Sequence, residues 1–258
     1  GNTWLDFFEP ISHQERTPSA SQLSRIGENY QTRRRHVNYW DPHGFIYSSE
    51  SGVYWTGSYY PNLTPNSRSL FITHRRVPTR SERNRAAKII ERYLSPNMAI
   101  LQELKRFIED SRIEGGVIGV QFRGTDARKD GRRVVPSYEV FIEAINNQLN
   151  KRTDNPVIVV ASDEQLFIET VKKRFPNVKH YEAARHQSGS TFEGEGPLGC
   201  LMPKFIADNK NDALKGAVMD YLIISMADVL IHNLGSLSNA ALLTNPRIKS
   251  IRIGPDIS

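Results

Sequence analysis

The feature that most constrains the fold is a short apolar run that ends abruptly in polar residues. Residues 117–122 read Val-Ile-Gly-Val-Gln-Phe, and Arg123, Gly124, Thr125 and Asp126 follow directly. An apolar run of this length is typical of a strand buried on both faces of a parallel sheet. In open α/β sheets, ligands bind outside the carboxyl ends of the strands. The polar cluster therefore indicates either a site of chemistry or, as the simpler alternative, a solvated ion pair of Arg123 and Asp126.

Downstream of this strand, helix and strand patterns alternate regularly. Strands are predicted at 157–161, 178–181, 228–233 and 248–253, and helices at about 136–149, 166–175, 212–226 and 235–243. A stretch with neither pattern, 182–199, is expected to be a functional or disordered loop. The alternation predicts an α/β fold with a Rossmann-like, doubly wound parallel sheet. The chain lacks a phosphate-loop motif and a Gly-x-Gly-x-x-Gly motif, which argues against a phosphate-loop NTPase and an ordinary dehydrogenase.

Two helical patterns precede the inner strand. The first, which we expect Ser81 to cap, extends to Leu94, and the second carries apolar residues from Leu101 to Ile108. Three short strands are predicted earlier still, at 45–47, 53–55 and 70–72. We therefore divide the chain into an N-terminal region, residues 1–95, and a C-terminal Rossmann-like domain, residues 96–258.

Composition limits the classes of partner and compartment. The 258 residues are 38% apolar and 24% charged, which is typical of a folded globular protein. A net charge of +6 favours an anionic partner, either a nucleic acid or a phosphorylated metabolite. The single cysteine, Cys200, excludes an intrachain disulfide and a thiolate-rich metal site, and it suits a reducing compartment. No run approaches the roughly 20 apolar residues of a membrane span. We expect a cytoplasmic protein, with a lumenal part of a Golgi-type enzyme as the alternative.

Arg123 is the first candidate for chemistry at the sheet edge. Its planar, permanently charged guanidinium can stabilise the negative charge that develops on a departing nucleoside diphosphate. Gly124 allows the backbone to approach a ligand closely. Asp163, which follows the second strand, can accept hydrogen bonds from ribose hydroxyls or orient Arg123.

Asp220 is the most informative single residue because it lies on an apolar helix face with Ala217 and Ile224. A carboxylate there requires a partner. That partner is either a cation or a backbone group of this chain, or the pair of N–H donors on the edge of guanine. Ser236 and Ser238 open the helix after the fourth predicted strand, where they serve either as helix caps or as part of a phosphate seat.

Three segments resemble motifs of one enzyme family. Residues 118–126 resemble the Gly-Val-His-Val-Arg-Arg-Thr-Asp motif of the α-1,6-, α-1,2- and protein O-fucosyltransferase superfamily. Residues 161–164, Ala-Ser-Asp-Glu, resemble its Ala-Thr-Asp-Asp motif, and the segment from the Asp220 helix to Gly235-Ser236-Leu237-Ser238 resembles its third motif. Order and spacing agree from about residue 81 to 253, and the nodulation-type and core α-1,6 enzymes are nearest.

The resemblance implies a B-type glycosyltransferase with two Rossmann-like domains. It implies GDP-fucose as donor, inversion at the sugar, a glycan or protein acceptor and no metal cofactor. By motif position Arg123 contacts the diphosphate, Asp220 reads guanine and Ser236 binds phosphate, while Asp163 belongs to the donor pocket. An inverting transfer also needs a carboxylate that accepts the acceptor proton. Asp126 is the favoured candidate for it, and Asp130 is the alternative.

The sequence departs from the family pattern in three ways. The motif His is Gln121, which can still hydrogen-bond a donor, and the second motif Arg is Gly124. Residues 1–95, which would be the acceptor side, make a short or incomplete N-terminal domain. These departures leave open a transferase with another GDP-sugar or a non-catalytic nucleotide-sugar-binding module. Only the net charge and Arg33–Arg35 favour nucleic acid, so we expect no nucleic-acid partner.

Overall fold

The computed structural model describes residues 8, 45–47, 54–56, 77–124, 135–185, 210–233 and 235–254. The chain divides into two compact units, one of residues 1–2 and 10–73 and the other of Thr3–Glu9 and His74–Ser258. In the first unit, β1 (Phe45–Tyr47) and β2 (Tyr54–Thr56) form an antiparallel pair. The predicted strand at 70–72 lies outside the described residues. The boundary that we drew after residue 95 falls within the second unit.

The second unit is built on a parallel sheet flanked by helices. Its strands are β3 (Val117–Phe122), β4 (Val157–Ser162), β5 (Val178–Lys179), β6 (Val229–His232) and β7 (Lys249–Arg252). The helices are α1 (Arg80–Tyr93), α2 (Met98–Asp110), α3 (Tyr138–Leu149), α4 (Gln165–Arg174), α5 (Lys210–Ile224) and α6 (Ser236–Thr244). Every predicted element from α1 onward is therefore present. Within the described part of the chain, each helix is too short or too polar to cross a bilayer.

The sheet is doubly wound around β3. Its strand order is β5-β4-β3-β6-β7, and each neighbouring pair is parallel. The chain thus moves outward from β3 in one direction through β4 and β5, and then continues on the other side through β6 and β7. The predicted Rossmann-like topology is confirmed, and β3 lies at the centre of the sheet, as expected for a strand buried on both faces.

Side chains that alternate along β3 and its neighbours fill two faces of the sheet. On one face Ile118, Val120 and Phe122 pack with α3 and α4, where Phe122 stacks on Phe167 with ring centroids 4.4 Å apart. The other face packs against α2, α5 and α6 through a second set of apolar residues: Val117, Val159, Ala161, Met219, Ile223, Leu230 and Leu242. All six residues of β3 are buried, which explains why its sequence lacks polar alternation.

Helix α1 begins earlier than its serine suggests. Thr79, not Ser81, is the N-cap, because its hydroxyl accepts from the Glu82 N–H at 3.3 Å while the Glu82 carboxylate accepts from the Thr79 N–H at 2.8 Å. This reciprocal pairing satisfies two backbone donors that a cap at Ser81 would leave unpaired. Arg83 then ties α1 to β7, since its buried guanidinium donates to the Ile248 carbonyl at 2.8 Å.

A charged cluster closes the sheet at its amino edge. Arg152 donates to Asp154 at 2.6 Å and to Asp228 at 3.2 Å, and Asp228 also accepts from the Val117 N–H at 3.0 Å. These bonds join the loop before β4, the residue before β6 and the first residue of β3. The amino edge is therefore occupied by contacts that stabilise the fold, which leaves the carboxyl edge for a site.

Candidate functional site

The polar residues that follow β3 lie where the strand order reverses. On one side β3 pairs with β4 up to Phe122 and Ser162, and on the other it pairs with β6 up to Gln121 and His232. In open α/β sheets, the crevice outside the carboxyl ends of the strands at this switch point is the usual ligand site. Arg123 emerges directly into that position.

Two side chains continue the hydrogen-bond ladder beyond the ends of the flanking strands. Asn233, which follows β6, accepts from the Arg123 N–H at 2.9 Å and donates to the Arg123 carbonyl at 2.7 Å. Asp163, which follows β4, accepts from the Gly124 N–H at 3.0 Å. The backbone of Arg123 and Gly124 is thus held from both sides at the strand end. Asp163, for which we had predicted contacts with ribose or Arg123, has at least this structural role.

The side chains of Arg123 and Gln121 lie beside Gly235 at the N-terminus of α6. A Cβ atom built on Gly235, the N-cap of α6, would lie 3.4 Å from Cδ of Arg123 and 3.5 Å from Nε2 of Gln121. The N-terminus of a helix presents N–H groups without intrahelical partners and a partial positive charge. A guanidinium beside such a terminus makes a site suited to an anion, above all a phosphate.

Gln121 brings a polar group without a partner among the described residues to this position. Its side chain is 4% exposed, and its Oε1 atom has no hydrogen-bond partner in the described part of the chain. An unpaired buried polar atom is costly, so such atoms in folded proteins usually have a specific reason. Rotation of the terminal amide exchanges its oxygen and nitrogen. Gln121 can therefore accept from a ligand hydroxyl or donate to a phosphate oxygen.

The two serines of α6 have different environments. The hydroxyl of buried Ser238 accepts from the Gly235 N–H and donates to the Gly235 carbonyl, both at 2.9 Å. These bonds commit Ser238 to the turn that opens the helix. Ser236, the first residue of α6, is exposed. Of the two residues predicted to bind phosphate, Ser236 is therefore the better placed.

Asp220 is paired with a cation of its own chain. Arg185 donates from Nη1 to Oδ2 of Asp220 at 2.7 Å and from Nη2 to Oδ1 at 2.9 Å, and both side chains are 6% exposed. Burial raises the pKa of Asp220, and Arg185 opposes that effect. Burial disfavours the charged form of Arg185, but Asp220 raises its pKa above the ordinary value. The geometry is that of a bidentate ion pair, the first of the two alternatives considered for Asp220.

This ion pair lies at the same edge of the sheet as Arg123. Arg185 also donates to the carbonyl of Ser162, the residue of β4 that pairs with Phe122. Asp163, which holds Gly124, is close enough to influence the pKa of both Arg185 and Asp220. The residues predicted to contact the diphosphate and the base are therefore not on opposite rims.

Gly124 is a position at this edge where a side chain has no space. An added Cβ would lie 2.2 Å from Oε1 of Glu164 and 2.6 Å from a ring carbon of Phe122, and both side chains are fully buried. Glu164 in turn accepts a short hydrogen bond from the hydroxyl of Tyr138. An arginine at position 124, as in the motif, would require Glu164 to move.

We expect Gly124→Ala to lower the free energy of unfolding by about 1–3 kcal/mol, the usual cost of overpacking a buried site. The clash involves side chains that are 0% exposed and cannot rotate into solvent. Gly235→Ala is the comparison, because its Cβ would meet nothing closer than 3.4 Å and only the smaller cost of alanine at a helix N-cap is expected. Urea denaturation of both variants measures the difference. Equal stability of the two variants would contradict the packing argument.

Sequence reasoning missed three residues of this edge: Asn233, Glu164 and Arg185. Asn233 directly follows a buried strand beside the Arg123 strand, and that position is a detectable signal. Arg185 could have been sought as the partner that Asp220 requires, but 35 residues separate the two. Asp126 and Asp130 lie outside the described residues. Within the described ranges, no cluster of His, Cys, Asp and Glu could hold a metal ion.

Comparison with solved structures returns fucosyltransferases. The chain is similar to NodZ α-1,6-fucosyltransferase soaked with GDP-fucose, with 15% identity, 60% of this chain and 44% of that chain covered, and a TM-score of 0.42. Fucosyltransferase NodZ from Bradyrhizobium is 12% identical, with 58% of this chain and 42% of that chain covered and a TM-score of 0.37. POFUT1 in complex with GDP is 13% identical, with 61% of this chain and 47% of that chain covered and a TM-score of 0.41.

The chain spans less than half the length of each of these structures. No protein-family model matches the chain. No curated protein matches it either. At such low identities and scores, the activities of the solved proteins do not transfer to this chain by themselves.

Proposed function

We propose that this chain is the donor-binding part of a glycosyltransferase that moves fucose from GDP-fucose to a hydroxyl of a glycan or protein. The observation that carries the proposal is the convergence of Arg123 and Gln121 on the N-terminus of α6 at the switch point. A diphosphate there would meet a permanent cation and free helical N–H groups. The resemblance to the three fucosyltransferase motifs supports fucose as the sugar.

In this proposal Arg123 acts on the leaving group. Transfer breaks the bond between the anomeric carbon and the β-phosphate oxygen, and the bonding electrons leave with GDP. Arg123 and the N-terminus of α6 stabilise the charge that develops on that oxygen. The acceptor hydroxyl attacks the opposite face, which inverts the anomeric centre, and a carboxylate accepts its proton. We assign that role to Asp126, and no metal or other cofactor is required.

Base recognition is assigned to Asp220, whose carboxylate can accept from the N1 and N2 hydrogens of guanine. The Arg185 guanidinium presents the same kind of parallel donor pair to both oxygens of Asp220. Recognition of guanine by Asp220 therefore requires Arg185 to move away. Asp163 and Ser236 complete the proposed pocket, Asp163 towards the ribose and Ser236 towards phosphate.

A nucleotide screen tests the assignment. We expect GDP to raise the melting temperature more than ADP, UDP or CDP does, because only guanine offers Asp220 two adjacent donors. A ligand at 100 times its Kd stabilises by about 2.7 kcal/mol, which is readily measured. GDP-fucose should then be hydrolysed faster than other GDP-sugars. Asp126→Asn should still bind GDP but no longer transfer fucose. Equal shifts with all four nucleotides would refute the base assignment.

A second candidate is a nucleotide-sugar-binding module without catalysis. The observation in its favour is that Glu164 fills the space at Gly124, so the site offers one motif arginine instead of two. Such a module would bind GDP-fucose with no turnover on any acceptor. Binding isotherms measured beside hydrolysis of a panel of GDP-sugars separate this candidate from the transferase and from a transferase with another donor.

A further inference from the structure

The backbone of Arg123 is held by the side chain of Asn233, which makes the hydrogen bonds that a neighbouring strand would otherwise make. Pairing between β3 and β6 ends at Gln121 and His232, two residues before Arg123. The terminal amide of Asn233 continues the pairing beyond that point, with one hydrogen bond to the N–H of Arg123 and one to its carbonyl. These bonds fix the backbone from which the guanidinium projects.

We propose that Asn233 is a positioning residue for phosphate binding, which holds the backbone of Arg123 so that the arginine side chain lies beside the N-terminus of α6. The inference rests on the proposed function only in taking Arg123 as the contact to a phosphate or diphosphate. An amide is suited to this task because it offers one acceptor and one donor to the two backbone groups of a single residue. The pairing is therefore specific for Asn in its chemistry as well as its length.

Asparagine and aspartate differ here in only one atom, which gives a sharp test. In Asn233→Asp, one carboxylate oxygen still accepts from the Arg123 N–H, but the other faces the Arg123 carbonyl and repels it. Protonation restores an O–H donor at that position. Proximity of a carbonyl oxygen disfavours the charged form, so the pKa of the new carboxyl should rise above its ordinary value of about 3.9. Phosphate affinity of the variant should then be high at low pH and fall as the pH rises through that pKa.

The neighbouring charged groups do not mimic this titration. Burial, together with the nearby charges of Arg252 and Arg83, lowers the pKa of His232 to about 3, which lies below the pH range of the experiment. Asp163 accepts from the Gly124 N–H on the opposite side of the loop. The phosphates of the ligand do titrate, so the affinity of each variant is divided by that of the wild type at the same pH.

The experiment uses the full chain with inorganic pyrophosphate and GDP as probes, and calorimetry between pH 4 and 8. We expect Asn233→Ala to lower the affinity for both ligands by about tenfold or more at every pH, since two hydrogen bonds are lost. The affinity of Asn233→Asp should be closest to that of the wild type at pH 4 and should resemble that of Asn233→Ala at pH 8. In an Arg123→Ala background the difference between Asn and Asp at position 233 should disappear.

Asn245 provides a matched control. It also makes two hydrogen bonds to backbone, accepting from the Arg247 N–H at 3.0 Å and donating to the Ser225 carbonyl at 2.9 Å, but it lies at the other end of α6. Asn245→Ala should lower the melting temperature without changing pyrophosphate affinity. An equal loss of affinity in both alanine variants would reduce Asn233 to a structural residue. A ratio for Asn233→Asp that does not vary with pH would also overturn the proposal.

The outcomes for the inference and for the proposed function can be told apart. If the wild type binds pyrophosphate with the expected dependence on Asn233 but shows no preference for GDP, the inference stands and the donor assignment fails. If the wild type binds neither pyrophosphate nor GDP, both fail. If GDP binds through Arg123 but is indifferent to Asn233, only the inference is wrong.

Discussion

Replacing Arg123 by alanine should reduce hydrolysis of GDP-fucose by about 10²–10³-fold, the usual effect of removing one group that stabilises developing negative charge. The side chain is only partly buried, and the backbone bonds to Asn233 do not require it. The free energy of unfolding should therefore change by no more than about 0.5 kcal/mol. Initial-rate assays and urea denaturation of the same preparation measure the two quantities.

Two controls sharpen this prediction. Arg123→Lys keeps the charge but loses the planar fork that contacts two phosphate oxygens, so it should retain part of the activity. Arg247→Ala removes an exposed positive charge near the opposite end of α6 and should leave the rate unchanged. If Arg123→Ala turns over GDP-fucose at the wild-type rate, the assignment of Arg123 to the leaving diphosphate is wrong.

Breaking the ion pair between Arg185 and Asp220 should cause the largest loss of stability. Asp220→Ala leaves a buried guanidinium without its counter-ion, which typically costs about 3–5 kcal/mol. Replacing both residues, as in Arg185→Met with Asp220→Leu, should recover much of that loss because no buried charge remains. Chemical denaturation of the single and double variants, combined as a double-mutant cycle, measures the coupling.

The exposed pair of Lys105 and Glu109 serves as the comparison. Its N–O distance is 3.7 Å and its side chains are 76% and 60% exposed, so Glu109→Ala should change stability by less than about 1 kcal/mol. A similar small effect of Asp220→Ala would show that Arg185 finds water or another partner readily. Arg185 would then also be free to give way to guanine.

The sheet could be predicted from sequence because its signals are local. The six residues of β3 and the six of β4 are buried throughout, so burial alone dictates their apolar composition. Ends of elements were harder to place. Thr79 caps α1 instead of Ser81, since the decisive feature is the reciprocal contact with Glu82 and not the presence of a hydroxyl. The helix predicted to Met226 ends at Ile224.

The site could be predicted only where residues share a strand end. Arg123, Gly124 and Asp163 could be placed together because they come just after buried strands, and the parallel topology brings those strand ends to one edge. The partner of Asp220 could not be inferred in this way. Arg185 follows β5 by several residues in a segment without periodicity, and its contact with α5 is made only by the folded chain.

The cluster of Arg152, Asp154 and Asp228 stabilises the rim where the strands begin, whereas the candidate site lies at the rim where they end. It secures the strands where they begin, far along β3 from the residues that would touch a nucleotide. Substitutions at sites that share no partners generally have additive effects on stability. Substitutions at Gln121, Ser236 or Asn233 should therefore change the candidate site without disturbing the contacts that anchor the opposite rim.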